Sequence, residues 1–508
     1  MNLERREFIR LSGVTVIGTM VSHALFNSCK NTTVTSNAAG YMEHFEVTPE
    51  QIRKVIAAAL EKGADYADLY FEHTISNNSS LQDKQVNSAY SDITYGVGIR
   101  VLKGYQTGFA YAENTSMESM IRAAKTAASI ADNTSSVWNA AAIAEMPPPA
   151  YYNIVSSWED FQIKDKIPFI TSLNDKIFAG DSKVTKVNIS LSDSTSYILF
   201  ANSEGMVSWD YRPLAYLSAR TVMEENGRIE SSSASRSFRK GSEFLTPELV
   251  DELAAEAIEK TVRMFEAGKP KAGEMEVVMA AGSSGILLHE AMGHSFEADF
   301  NRKGSSIFSD RMGKKVAENF ITIVDDGTLP NDRGSLNIDD EGIKTEKTVL
   351  VSNGVLTSYI HDRLSAKFYS VAPTGNGRRQ DFRNMPIPRM RSTYMENGPH
   401  KRDEIIASVK KGILVEDFSN GQVNIGPGDF TFFVKYGYII ENGKLAMPVK
   451  DINIIGNGPQ ALADIEMVAD DRKIDCGTWT CGKDGQGVPV SMGLPTVKIK
   501  KLTVGGIS

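Results

Sequence analysis

Cysteine is scarce in this chain: Cys29, Cys476 and Cys481 are the three. Three are too few for a disulfide framework. Long apolar runs are missing too. Residues 11–26 are interrupted by Ser12, Gly13, Thr15, Gly18 and Thr19, whereas a spanning helix needs about twenty apolar residues in succession. No basic block follows the N-terminus, and 55 Lys+Arg against 63 Asp+Glu leave a net charge of −8. A nucleic-acid role therefore has no electrostatic footprint. The phosphate-cradling pattern GxxxxGK[ST] is absent, and no solenoid-like repeat recurs. What is there, 41% hydrophobic and 23% charged residues over 508 positions, describes a globular protein of two or three domains.

The N-terminus stands apart. Glu4-Arg5-Arg6-Glu7-Phe8-Ile9-Arg10 precedes the modest apolar core, so residues 1–28 read as an export signal. The paired arginines before Phe8-Ile9 resemble a twin-arginine signal, a route that carries folded proteins. Leu25-Phe26-Asn27-Ser28-Cys29 resembles a lipoprotein cleavage site, which would attach the chain to a membrane through a lipidated Cys29. Residues 29–40, rich in Asn, Thr, Ser and Ala, read as a flexible tether. The expected location is exported, periplasmic or membrane-anchored and facing the periplasm.

Beyond the tether, helices and strands alternate in mixed order. Thr48-Pro49-Glu50-Gln51 is a capping box with Pro at the first helical position, and Gly63 ends that helix. Residues 66–73, 95–102 and 105–112 read as strands, the last two joined by a turn at Lys103-Gly104. Thr115-Ser116-Met117-Glu118 opens a second helix. A third is expected over 159–178, strands over 187–191 and 197–200, and a long helix from Thr246-Pro247 to near Gly268. Lys269-Pro270-Lys271 marks the boundary between an N-terminal α+β domain, 41–270, and a β-rich C-terminal domain, 271–508, with one embedded helix. The fold class is α+β.

That embedded helix carries the chemistry. Ile286-Leu287-Leu288-His289-Glu290-Ala291-Met292-Gly293-His294 places two histidines at i and i+5, where common zinc peptidases use i and i+4. At roughly 100° per residue an ideal helix would hold the rings about 140° apart, too far for one ion. A π turn of about 4.4 residues brings them back together, and Gly293 eases the departure from regular helix. Alternatively the helix ends at Gly293. Zinc would then take His289 and His294, need a third protein ligand and keep one position for water, with Glu290 as the general base. Glu297, Asp299, His361, Cys476 and Cys481 are all open as the third ligand; a thiolate binds zinc strongly.

Glu297 is also placed to orient a ligand histidine. Gly375-Asn376-Gly377-Arg378-Arg379 reads equally as a substrate-carboxylate clamp, through Arg378 and Arg379, or as a tight loop with a surface arginine pair. Asp325-Asp326 and Asp339-Asp340-Glu341 read as turn residues at strand ends.

From about Glu43 to its end the chain resembles the TldD/PmbA family of modulator-of-gyrase peptidases. The likeness runs through Gly96-Val97-Gly98-Ile99-Arg100-Val101, the His289–His294 motif, Ile338-Asp339-Asp340-Glu341-Gly342, Pro373-Thr374-Gly375-Asn376-Gly377-Arg378-Arg379, Pro386-Ile387-Pro388-Arg389-Met390, Gly421-Gln422-Val423 and Cys481-Gly482-Lys483. The resemblance implies zinc on His289, His294 and Cys481, with Glu290 as catalyst. It implies small or unfolded peptide substrates lying as extended strands, and a dimer, either of two copies or with a TldE/PmbA-like subunit. The intact motif matches the catalytic-type subunit. Two features depart from the family: the export signal, and Cys476, which could compete with Cys481 or form a disulfide with it. Two other readings stand beside this one. The first is a zinc peptidase of another HExxxH class, with a glutamate as third ligand. The second is a lipid-anchored subunit that captures peptides without cleaving them.

Overall fold

The computed structural model describes residues 37–131, 138, 141–475 and 479–505. The export-signal and lipidation readings, and Cys476, lie outside the described residues. Residues 38–40, read as tether, already belong to a helix, Ala38–His44, capped by the Asn37 side chain. The capping box at Thr48 forms, and helix Pro49–Leu60 buries Ile52, Val55, Ile56, Ala59 and Leu60. The second helix starts one residue later than its sequence suggests: Ser116 caps Met117–Ala128.

The first half is built on one seven-stranded sheet. Its strands run in space from Gln106–Ala112 through Gln85–Lys103, Tyr66–Gln82 and Val184–Asn202 to Met206–Glu225. Arg228–Phe238 and the short Ala144–Met146 both pair with that last strand. Helices Pro49–Leu60 and Met117–Ala128 cover one end of the sheet, while Ile163–Gly180 and Pro247–Val262 cover the other.

The central strands are much longer than the apolar segments suggest, 17 residues for Tyr66–Gln82 and 19 for Val184–Asn202. Their outer halves keep the two-residue period of a strand but fill one face with hydroxyls and amides: Ser76 faces Ser194 and Asn78 faces Ser192. The backbone pairs regardless of side-chain polarity, so the strand continues where the hydrophobic signal stops.

The second half holds two six-stranded sheets. One runs Lys444–Asn457, Asp429–Glu441, Lys411–Asn424, Gly273–Met279, Val497–Val504, Ile465–Val468. The other runs Val355–Leu356, Lys347–Ser352, Ile323–Asp326, Ser392–Met395, Ser491–Leu494, Lys473–Ile474. One core joins side chains of both sheets around Ile286, Leu287, Leu288, Ala291 and Met292, which places the histidine segment between them. Among the described residues four further short helices, Ala298–Arg302, Arg363–Tyr369, Arg402–Ser408 and Gly458–Ala463, accompany it, where the sequence suggested a single embedded helix.

The two halves meet through buried charge. Arg100 donates to Asp68 (Nε, 3.0 Å) and to Glu341 (Nη1, 2.5 Å), and Arg212 to Asp210 (2.9 Å) and Asp340 (2.6 Å). Asp325 is likewise enclosed and held by Arg391 Nε at 2.8 Å. These acids read as turn residues at strand ends, and Asp326 does end a strand while Asp340 and Glu341 lie in a turn. Asp325, Asp326 and residues 339–341 are nevertheless all buried, because each finds cationic or amide donors inside the fold.

Candidate metal centre

Residues 283–296 form one irregular helix. A 3-10 turn (Ser283–Gly285) and one α turn (Ile286–Leu288) lead into a π turn, His289–Gly293, followed by a 3-10 turn, His294–Phe296. The π turn accommodates the five-residue spacing, leaving the two imidazole centroids 5.0 Å apart with their planes at 79°. Gly293 is needed for packing rather than for an unusual backbone angle. A Cβ there would stand 2.0 Å from Met390 Sδ.

The third donor comes from far away in the chain. Thr480–Lys483 and Gln486–Pro489 form an isolated hairpin, which buried arginines hold by its main-chain oxygens. Arg389 reaches the Cys481 and Gln486 carbonyls, and Arg378 reaches Pro489 O at 2.7 Å. The Cys481 thiol lands 3.5 Å from His294 Nε2. One donor atom from each of His289, His294 and Cys481 lies within 4.8 Å of the others, all three residues being buried. Glu297, Asp299 and His361 are buried as well, but none is part of this cluster of donors.

The electrostatics fit a cation. Burial pushes the Cys481 thiol up, but the imidazoles of His294 and His289 outweigh it and hold the group well below the usual thiol range. Burial alone would lower His294, yet Glu297 and the thiol raise it well above the usual imidazole range. His289 Nδ1 has no hydrogen-bond partner in the described structure. Two imidazoles and a thiolate are a three-ligand set of the kind that leaves zinc one open position.

Glu297 Oε2 sits 3.0 Å from His294 Nδ1, so it orients that ring as the sequence suggested. Burial raises Glu297, but Lys483 and His294 bring it down to about 2. Glu290 is half-buried; burial raises its carboxyl, and the two histidines pull it back. Strand Lys411–Asn424 passes directly over it, for a Cβ on Gly421 would come within 3.1 Å of Glu290 Cγ.

Arg378 and Arg379 do not converge on this pocket as free clamps, nor do they lie at the surface. Both are buried. Arg378 donates to Met390 O (2.6 Å) and Pro489 O, while Arg379 donates to Asp340 O (3.0 Å) and Asn384 O (3.3 Å) and stacks 4.3 Å above Tyr70. Their guanidinium groups bind main-chain oxygens of the fold itself. Sequence reasoning passed over Lys483, which stands 3.1 Å from Glu297. Its signal was the two-residue spacing from Cys481, which puts both side chains on one face of a strand.

Three family models match in order along the chain: PmbA/TldA metallopeptidase domain 1 over residues 67–131, its central domain over 156–265 and its C-terminal domain over 272–506. A metalloprotease TldD homolog of Haemophilus influenzae is 40% identical over 452 residues, 88% of this chain and 94% of that relative. A zinc metalloprotease TldD homolog of Saccharolobus solfataricus is 27% identical over 456 residues, 89% of this chain and 99% of the relative. A solved modulator of a DNA gyrase from Thermotoga maritima superposes with a TM-score of 0.72 at 22% identity, covering 90% of this chain and 100% of its own. TldE from Thermococcus kodakarensis does so with a TM-score of 0.68 at 20% identity, again over 90% and 100%. At those identities the structural likeness is one of fold.

Proposed function

The chain belongs to the PmbA/TldD metallopeptidase family, and from that premise we propose that it is a zinc-dependent peptidase of small or unfolded peptides, with His289, His294 and Cys481 as the metal ligands and Glu290 as the general base. The observation that carries the reading is the meeting of three buried donors from two distant segments beside a half-buried carboxylate. Zinc held there would supply a Lewis acid for the scissile carbonyl and lower the pKa of water. Every other step falls to the chain. Glu290, its proton affinity raised by burial, takes the proton of the attacking water and delivers it to the leaving amine. Glu297 accepts from His294 Nδ1 and so leaves Nε2 facing Cys481.

The neighbouring strand supports an extended peptide as substrate. Lys411–Asn424 pairs with Asp429–Glu441 along its length, but on its other side only residues 412–415 pair, with 276–279. Among the described residues, 417–424 thus keep one edge without a strand partner, and Gly421 lies against Glu290. Such an edge recruits an extended chain by main-chain hydrogen bonds and is indifferent to its sequence. An unfolded peptide can offer that edge; a folded protein cannot.

The same proposal includes a dimer, of two copies or with a TldE/PmbA-like subunit. It also includes export by the N-terminal signal, which fractionation of the full-length protein would check. The decisive experiment is metal content of the purified protein beside Cys481→Ala. About one zinc per chain, lost in the variant, is the expected result. Zinc retained in full by the variant would transfer the third-ligand role elsewhere and refute the assigned site.

A further inference from the structure

Among the described residues the hairpin that carries Cys481 has no third strand, and side chains tie it to the histidine helix. Strand alternation places Cys481 and Lys483 on one face, and both are buried. Lys483 Nζ lies 3.1 Å from Glu297 Oε2, 2.7 Å from Asp299 Oδ1 and 3.1 Å from the Pro388 carbonyl oxygen, with the Phe300 ring 4.2 Å away. Glu297 Oε2 is the same oxygen that meets His294 Nδ1 at 3.0 Å. One ammonium therefore touches the carboxylate that orients one ligand and shares a four-residue strand with another.

Hydrogen-bond logic gives this contact a direction. An ammonium has donors only, so the Glu297 oxygen it touches acts as an acceptor. In that ion pair Glu297 is a carboxylate with acceptors only, so the imidazole nitrogen on the same oxygen is the donor. Nδ1 of His294 carries its hydrogen toward Glu297, and Nε2, 3.5 Å from the Cys481 thiol, keeps its lone pair for a metal. A neutral side chain at position 483 would remove the charge that holds Glu297 in this role and the link between hairpin and helix.

We propose that Lys483 is a positioning residue of the metal centre: through Glu297 it sets the tautomer of His294, and by the same ion pair it holds the Cys481 hairpin in register with the histidine helix. This rests on the metal-site reading above.

The test measures zinc affinity by competition with a chromophoric chelator for wild type, Lys483→Met, Glu297→Gln and the double variant. Methionine keeps the apolar stem, and should that variant not fold, Lys483→Gln carries the same comparison. Each single change is expected to weaken zinc binding roughly 10- to 100-fold, the range for lost outer-sphere partners of metal ligands. The double variant is expected to bind no more weakly than the worse single, because both act through one relay. Cobalt-loaded Lys483→Met should retain its thiolate charge-transfer band, showing that Cys481 still ligates. Affinity equal to wild type in the Lys483 variant would overturn the proposal. So would losses that multiply in the double variant, which would mean that Lys483 does not act through Glu297. A wild-type protein that binds no zinc would instead overturn the metal-site reading itself, and this inference with it.

Discussion

Replacing Gly293 by alanine adds one methyl group at the tightest point of the metal helix. Built on the existing backbone, that methyl lies 2.0 Å from Met390 Sδ, 3.0 Å from Met390 Cε and 3.1 Å from Leu288 O. Ordinary contact is about 3.5–4.0 Å, so the sulfur must retreat by roughly 1.5 Å. Met390 is fully buried and has little room to do so. Overpacking of this kind costs about 1–3 kcal/mol, offset by the roughly 0.5–1 kcal/mol that alanine gains over glycine in a helix. The net expectation is a loss of up to about 2.5 kcal/mol in urea denaturation of the metal-free protein. Met390 also neighbours Arg389, which holds the Cys481 carbonyl, so zinc affinity should fall as well. The decisive comparison adds Met390→Ala. Alone it leaves a cavity, at a cost of about 2–5 kcal/mol. Combined with Gly293→Ala it gives the new methyl space, and the pair should be more stable than the sum of the singles by about 1 kcal/mol or more. Strictly additive losses would show that Met390 is not the reason for the glycine.

Glu290→Gln should retain its zinc while peptide hydrolysis falls about 10²- to 10⁴-fold, the usual worth of a general base; elemental analysis beside a peptide assay checks both halves. Arg100→Met leaves Asp68 and Glu341 buried without their cation, and should destabilise the protein by about 3–5 kcal/mol in urea denaturation. Burial pushes Glu72 from an ordinary value of 4.5 up to about 7. The folded protein therefore holds this proton more tightly than the unfolded chain does. Stability from this group is full below about 4.5 and declines as pH rises to about 7, by up to about 3 kcal/mol at 1.36 kcal/mol per unit. Glu72→Gln should flatten that decline and exceed wild type at pH near 8 in parallel urea titrations; an unchanged slope would count against the buried-acid reading.

How much of this was legible in the sequence depended on distance along the chain. The capping box at Thr48 and the angular conflict between His289 and His294 are local, and simple helix geometry was enough to call for a π turn or a break. Cys481 could be chosen among five candidates only through family resemblance, because the hairpin that carries it is placed by Arg389, Arg378 and Lys483 from elsewhere in the fold. The burial of the acids at 325–326 and 339–341 was hidden for a related reason. Charged residues are mostly exposed, and nothing local to Glu341 announces that Arg100, 241 positions earlier, will enclose it. The long strands were cut short because hydrophobic alternation was the guide, and their serine-rich halves lack it while still pairing.

The donor set closes over a separation of 187 residues, from His294 to Cys481. During synthesis the histidine helix leaves the ribosome well before the hairpin that completes the pocket, and a two-histidine stub binds zinc far more weakly than three ligands. On the proposed ligand set, metal capture would wait for the segment that carries Cys481. On that reading, a product clipped before Cys481 would carry Glu290 and both histidines yet lack the third donor and be expected to stay hydrolytically silent.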